Sequence, residues 1–281
     1  MTIIDVHTHI FPPEVRSKRD RFFDGEPEFE LLYRSAKSTM AGADETVAMM
    51  DDLGVDRAVV MGFPWRSIER ARRHNDYIME AVGRHPRRLI GFCCLDPLHP
   101  QAAAETQRCL EGGSSGIGEL AFYSTGIDDR CLVALDPIMA LARQHHCVVM
   151  LHTNEPVGHQ YPGKSPNTLS QIYNLAKRFS GNRLILAHWG GGIFLYTLLK
   201  KEIRQVLSNI WFDTAASPYL YQVQIYRQAI ELAGVEKVLL GSDFPLLKPD
   251  RYLKEMAAAG LDASQRTAIC GANTAKLLNL E

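Results

Sequence analysis

Net charge is almost missing from this sequence. Lys and Arg number 31 against 32 Asp and Glu, a formal balance of −1. Such a chain has no global field to gather nucleic acid or an anionic membrane surface. Long apolar runs are missing too, and none approaches the roughly 20 residues of a membrane span. The chain opens directly on an apolar stretch, without the basic region and apolar core of a secretion signal. Cysteine is sparse and unpaired. Cys93, Cys94, Cys109, Cys131, Cys147 and Cys270 form no C-x-x-C pair. They read as reduced, mostly buried small hydrophobes. These absences point to a cytoplasmic protein whose partner is a small molecule, with no nucleic acid and no membrane. A homo-oligomer stays open.

What is present is repetition. At 281 residues and 46% hydrophobic content, the chain suits one α/β barrel or two small domains. Short apolar runs recur at 3–9, 57–63, 89–95, 116–122, 147–152, 184–188, 210–213 and 238–243. Each is followed by a helical pattern. In one, Asp44 caps a stripe of Val47, Met50 and Leu53 that Gly54 stops. In another, Ser67 caps Ile68, Ala71, Ile78 and Val82. Helices are also expected over 193–207 and 222–233, with a helical tail over 251–280. Nearly continuous apolar strands fit a parallel sheet buried on both faces. Strict alternation of strand and helix predicts an α/β fold, a single (β/α)8 TIM barrel over residues 1–281. A doubly wound sheet would carry a Gly-rich turn after its first strand. Here that turn reads His-Thr-His-Ile-Phe. Residues 10–42 form a long, aromatic connection that reads as a lid over the strand ends.

In such a barrel the active site lies at the carboxyl ends of the strands. Those ends carry His7, His9, Glu119, His152, His188, Asp213 and Asp243. His7 and His9 are two apart, so on a strand they share one face and can ligate zinc or a similar divalent ion. Any one of these residues alone reads as a satisfied core polar group. Together, in register at one mouth, they read as a metal site.

The order His-x-His, Glu, His, His and a final Asp resembles the amidohydrolase superfamily of metal-dependent barrels. The strings Asp5-Val-His-Thr-His9, Leu186-Ala-His-Trp-Gly-Gly-Gly192 and Gly241-Ser-Asp-Phe-Pro245 are most similar to its amidohydrolase-related branch, which includes aminocarboxymuconate semialdehyde decarboxylase. The resemblance implies that His7, His9, His152 and Asp243 hold one metal. It further implies that His188 faces the metal-bound water and that Asp243 relays its proton, so His188 and Asp243 are the catalytic pair. The stretch Gly118-Glu119-Leu-Ala-Phe-Tyr123 resembles the fourth strand of the TatD-like hydrolases. There the glutamate bridges two metals, and His188 would ligate the second. Otherwise Glu119 hydrogen-bonds Tyr123 or a ligating histidine, outside the ligand set. One or two divalent ions are therefore expected, zinc foremost.

The loop after the fifth strand offers His159, Tyr161 and Lys164 as substrate contacts, or it is an ordinary surface loop. Arg66 could clamp a substrate carboxylate, or it is a solvated residue at a helix start. Gly190 to Gly192 could present backbone N–H groups to an anion, or simply allow a tight turn. The expected function is a metal-dependent hydrolase that turns an activated water on an amide, lactone or ester. The alternative is a metal-dependent decarboxylase of an unsaturated acid. A non-catalytic metal-binding barrel is the third reading.

Overall fold

The structure, a computed structural model, describes residues 1–280; Glu281, the end of the expected domain, lies outside the described residues. Eight parallel strands form one sheet in chain order: β1 (Ile4–His9), β2 (Arg57–Met61), β3 (Leu89–Cys93), β4 (Gly116–Leu120), β5 (Val148–Leu151), β6 (Arg183–Leu186), β7 (Ile210–Asp213) and β8 (Val238–Leu239). The residues after β8 close the sheet into a (β/α)8 barrel. Val6 N–H donates to Leu240 O at 2.8 Å, and His9 N–H donates to Phe244 O at 2.7 Å. Strand eight was expected to run to Asp243, but its ladder stops early. Asp243 itself takes a positive φ of 60°, which ends extended pairing.

The strands bury both faces. Val59, Met61, Ile90, Phe92, Val148, Met150, Ile185 and Leu239 meet inside the barrel. Their neighbours Ala58, Val60, Leu89, Val149, Leu184 and Val238 pack outward under the helices. This two-sided burial is why the strands read as unbroken apolar runs. No helix among the described residues is long and apolar enough to cross a membrane.

The connection 10–42 holds α1 (Pro13–Ser17), a 3₁₀ turn (Arg19–Phe22) and α2 (Pro27–Tyr33). Its core is Phe29, fully buried among the rings of Trp65 (centroids 4.4 Å), Tyr33 (4.8 Å) and Phe63 (5.2 Å). Polar ties add to the packing. The next helices are α3 (Ala43–Leu53) and α4 (Ile68–Arg84). Buried Glu26 accepts the Arg66 and Ser67 N–H groups at 2.8 and 2.9 Å, just ahead of α4. From α4, His74 donates Nε2–H to Ile10 O at 2.6 Å and accepts Trp65 Nε1–H at 2.9 Å. This segment is therefore built into the mouth on the β1–β2 side.

Two local expectations change. Helix α3 starts one residue before Asp44, and Glu45 accepts the Gly42 N–H at 3.2 Å in place of an Asp44 cap. The helix expected over 193–207 is broken. Trp189 to Gly192 run through left-handed φ values of 60° to 83°, a 3₁₀ stretch follows, and only Ile203–Val206 is α-helical. In the left-handed stretch, Gly191 leaves no room for a side chain. A Cβ on Gly191 would lie 2.4 Å from Asn154 O.

Phe29→Ala should open a cavity in a fully buried aromatic cluster. The expected cost is about 3–5 kcal/mol, read as a lowered urea midpoint with the slope unchanged.

Candidate metal centre

Three imidazoles reach the mouth in the same orientation. His7 donates Nδ1–H to Asp213 Oδ2 at 2.8 Å, His9 donates to Gly62 O at 3.2 Å, and His188 donates to Ala215 O at 3.0 Å. Each acceptor is a carboxylate or a carbonyl, so each ring carries its proton on Nδ1. Each Nε2 lone pair is left facing inward. The His7 and His9 Nε2 atoms lie 3.1 Å apart. Asp243 Oδ1 lies 3.6 and 3.5 Å from them, and Glu119 Oε2 lies 3.5 and 3.6 Å from them. Ligand atoms at about 2.0–2.2 Å from one ion stand roughly 3–3.5 Å from one another. The donor set therefore fits a divalent cation. Two triads keep their ligand atoms within 4.8 Å of one another, His7–His9–Asp243 and His7–Glu119–His188.

The electrostatics point the same way. Burial pushes His7 down, but Glu119 and Asp213 outweigh it and hold the ring well above its ordinary value. His188 is likewise raised to about 9, against burial, by its contact with Glu119. Burial and the neighbouring His7 lower His9. Glu119, despite full burial, is held well below the carboxylate range by His7 and His152. A cluster that draws protons this strongly is short of positive charge, which a metal ion supplies.

The frame is local and specific. Glu119 follows Gly118, whose φ is 133° and whose hypothetical Cβ would lie 2.5 Å from Met150 O. Only glycine allows β4 to deliver its carboxylate there. Asp243 is placed by the seam between β1 and the residues after β8. Ser242 donates its N–H to Asp5 Oδ1 at 2.9 Å and its hydroxyl to Asp5 Oδ2. Burial raises Asp5 to about 6. The Asp243 N–H then donates to His7 O at 2.9 Å. The side chain of Asp243 is 18% exposed, against 5% for Glu119 and 0% for Asp213. Asp243 is the most exposed of the three carboxylates.

Not every sequence candidate joins this group. His152 stands beside Glu119, with Nδ1 3.0 Å from Oε1, and its Nε2 donates to Gly163 O at 2.9 Å. It lies outside both triads. The exposed Arg66 is ion-paired with Glu28 of α2. Lys164 is sealed inside its own loop, bound to Glu155 at 2.9 Å and to the Val157 and His159 carbonyls. Tyr161 donates to Glu155 at 2.9 Å, and His159 is exposed beside it. The three glycines after Trp189 serve the left-handed turn that carries His188 into place.

Sequence reasoning missed other residues. Asp213 was placed at the mouth without a role; it orients His7 and also accepts the His188 N–H at 2.9 Å. Tyr33 and Tyr123 bring phenols to the same mouth. Burial first, then Glu119 and Asp243, raises both hydroxyls far above their ordinary range, so they stay neutral donors. In the sequence, Tyr123 reads only as a hydrogen-bond partner of Glu119, and Tyr33 only as an aromatic of the connection 10–42.

The chain matches the model of the amidohydrolase family over residues 4–280. It is 22% identical to 2-amino-3-carboxymuconate-6-semialdehyde decarboxylase of Dictyostelium discoideum, over 99% of this chain and 92% of that one. It is 24% identical to 6-methylsalicylic acid decarboxylase of Penicillium expansum, over 90% of this chain and 88% of the other. Among solved structures it is similar to a dihydroxybenzoic acid decarboxylase from Polaromonas sp., with bound manganese and the inhibitor 2-nitroresorcinol. That match has a TM-score of 0.73 and 18% identity, and it covers 99% of this chain and 97% of that one.

These relatives overturn the hydrolase expectation. The similar proteins are named as decarboxylases. The physical reason for the error is plain. Ligand spacing encodes a metal centre, and one centre that neutralises oxygen-bound charge can serve hydrolysis or carbon–carbon cleavage.

Asp213→Ala should leave the His7 Nδ1–H without its acceptor. Metal affinity should fall about 10–100-fold, measured by competition with a chelating indicator, with the circular dichroism spectrum retained.

Proposed function

The chain belongs to the amidohydrolase family, and from that premise we propose that it is a metal-dependent decarboxylase of a small unsaturated or aromatic carboxylic acid. The carrying observation is an open carboxylate, Asp243, set beside a converging pair of imidazoles. The names of the relatives supply the reaction class. The manganese in the Polaromonas structure puts that metal beside zinc as a candidate.

His7, His9 and Asp243 form the heart of the ligand set, with Glu119, His152 and His188 around it. His7 has one free lone pair, because its Nδ1–H is spent on Asp213. One lone pair binds one ion, so the two triads that share His7 describe a single centre. A bound divalent ion supplies positive charge that fixes the substrate's oxygen atoms and spreads the charge developing as its carbon–carbon bond breaks.

The protein's own residues handle position and protons. The substrate carboxylate leaves as CO2, and the carbon that carried it keeps the bonding electron pair and takes a proton. Asp243 is the residue this reading assigns to pass that proton, taking it up from water on its carboxylate and handing it to the carbon, because it is the most exposed of the three carboxylates. His188 is assigned the second proton-handling role. Its Nδ1–H is committed to Ala215, and its Nε2 lies 3.6 Å from Glu119. Full burial of His7 and near-burial of Glu119 exclude water and strengthen each interaction.

Metal-loaded protein should release CO2 from one or more acids in a panel of hydroxybenzoates and conjugated acids. Asp243→Asn should lower that rate about 10²–10⁴-fold, with metal content by elemental analysis unchanged. No CO2 from any acid at full metal loading would overturn the reading. A fully active Asn variant would move the proton to His188.

A further inference from the structure

Two runs of arginine play no part in the metal centre. One, in the connection 10–42, holds Arg16, Arg19 and Arg21; the other, on α4, holds Arg70, Arg72 and Arg73. Several of these side chains are committed locally. Arg16 pairs with Glu45, Arg19 donates to the Tyr33, Ser35 and Ser38 carbonyls, and Arg72 lies 3.5 Å from Glu105. Arg21 and Arg73 are different. They are exposed, and among the described residues neither guanidinium has an ion-pair or hydrogen-bond partner.

The fold brings these two to one place. Arg21, Arg70 and Arg73 line a single pocket of about 260 Å³, together with Phe22, Trp65 and His74. Arg70, Arg73 and His74 stand three and four residues apart, so α4 turns all of them to one side. Arg70 is held by the Phe22 and Asp24 carbonyls at 3.0 and 2.9 Å, with Glu26 at 3.6 Å. Its guanidinium lies 5.7 Å from the centre of the Phe22 ring and 6.0 Å from that of Trp65. Flat apolar wall and positive charge therefore adjoin. Glu14 is the one carboxylate in the lining among the described residues, and no candidate metal ligand takes part. A wider groove of about 540 Å³ shares Arg73, but it sets five carboxylates against three guanidiniums and so does not compete for an anion.

We propose that the smaller pocket is a second ligand site, for a small organic anion with a flat apolar body. The guanidiniums of Arg21 and Arg73 would take the anionic group, since planar forks match paired oxygens. Phe22 and Trp65 would take the flat body. A ligand so placed joins Arg21 of the connection to Arg73 of α4 and fastens the connection to the barrel. The site lies apart from the metal centre, and the proposal does not depend on the reaction assigned there.

Calorimetry with benzenesulfonate, a flat anion with no carboxylate to lose, tests this. One molecule should bind per chain, more weakly as salt is raised. It should still bind when His7→Ala and His9→Ala are combined. Arg21→Ala and Arg73→Ala should each weaken binding about tenfold or more, with the circular dichroism spectrum unchanged. Sulfate, a charge without the ring, should bind about tenfold more weakly than benzenesulfonate. Benzamide, a ring without the charge, should also bind about tenfold more weakly. Absence of binding at millimolar benzenesulfonate overturns the proposal, as does unchanged affinity in either arginine variant. Binding that disappears with the two histidines places the ligand at the metal centre and overturns it too. Sulfate or benzamide binding as tightly as benzenesulfonate has the same consequence.

Discussion

The hydrogen bond from His7 Nδ1 to Asp213 Oδ2, buried at both ends, is the contact on which the centre depends. It ties β1 to β7 and fixes the proton of His7. It thereby frees Nε2 toward His9, Glu119 and Asp243. Without it a fully buried imidazole could turn or hold its proton on the wrong nitrogen, and both triads would lose their shared member. The rest of the mouth follows the same logic. Each inward lone pair exists because the opposite nitrogen of its ring is occupied by a carbonyl or carboxylate from a neighbouring strand or loop.

Holding such a cluster requires backbone that ordinary helices and strands do not offer. His188 and Asp243 both sit at positive φ, 54° and 60°, where non-glycine residues are uncommon. Neighbours over-determine both positions. The His188 N–H is held by Asp213, its carbonyl by the Tyr221 hydroxyl, and the Asp243 N–H by His7 O. Strain at the site is thus carried by hydrogen bonds from the barrel frame, whose two-sided apolar strands leave it little freedom to relax.

The barrel was legible in the sequence because two-sided burial writes each strand as an apolar run. The candidate ligands were legible because a barrel brings all its strand ends to one mouth. His7 and His9 needed only a period of two to be paired. The remainder depended on partners distant in the chain. Arg66 looked free until Glu28, thirty-eight residues away, neutralised it. The helix expected over 193–207 gives way to a 3₁₀ stretch and one short α-helix, which no local pattern encodes. Lys164 looked like a substrate ligand because its loop is polar, yet that polarity is consumed within the loop. The bond that breaks was not legible at all, since metal ligands record the ion and leave the reaction open.

The join between the residues after β8 and β1 has a consequence for the order of assembly. The contacts that place Asp243 link residues as much as 237 positions apart. Contacts of that separation form late, because the whole intervening chain must first be ordered. During synthesis the histidine pair emerges long before its carboxylate partner on the far side of the seam. A nascent or truncated chain can therefore carry His7 and His9 but cannot hold the complete cage. A metal held by His7, His9 and Asp243 would bind tightly only to the closed barrel, and its binding energy would fall on the final ring closure and on no earlier intermediate. Such an ion would act as a lock on the finished fold, and a chain that stops short of its last strand would give it nothing to lock.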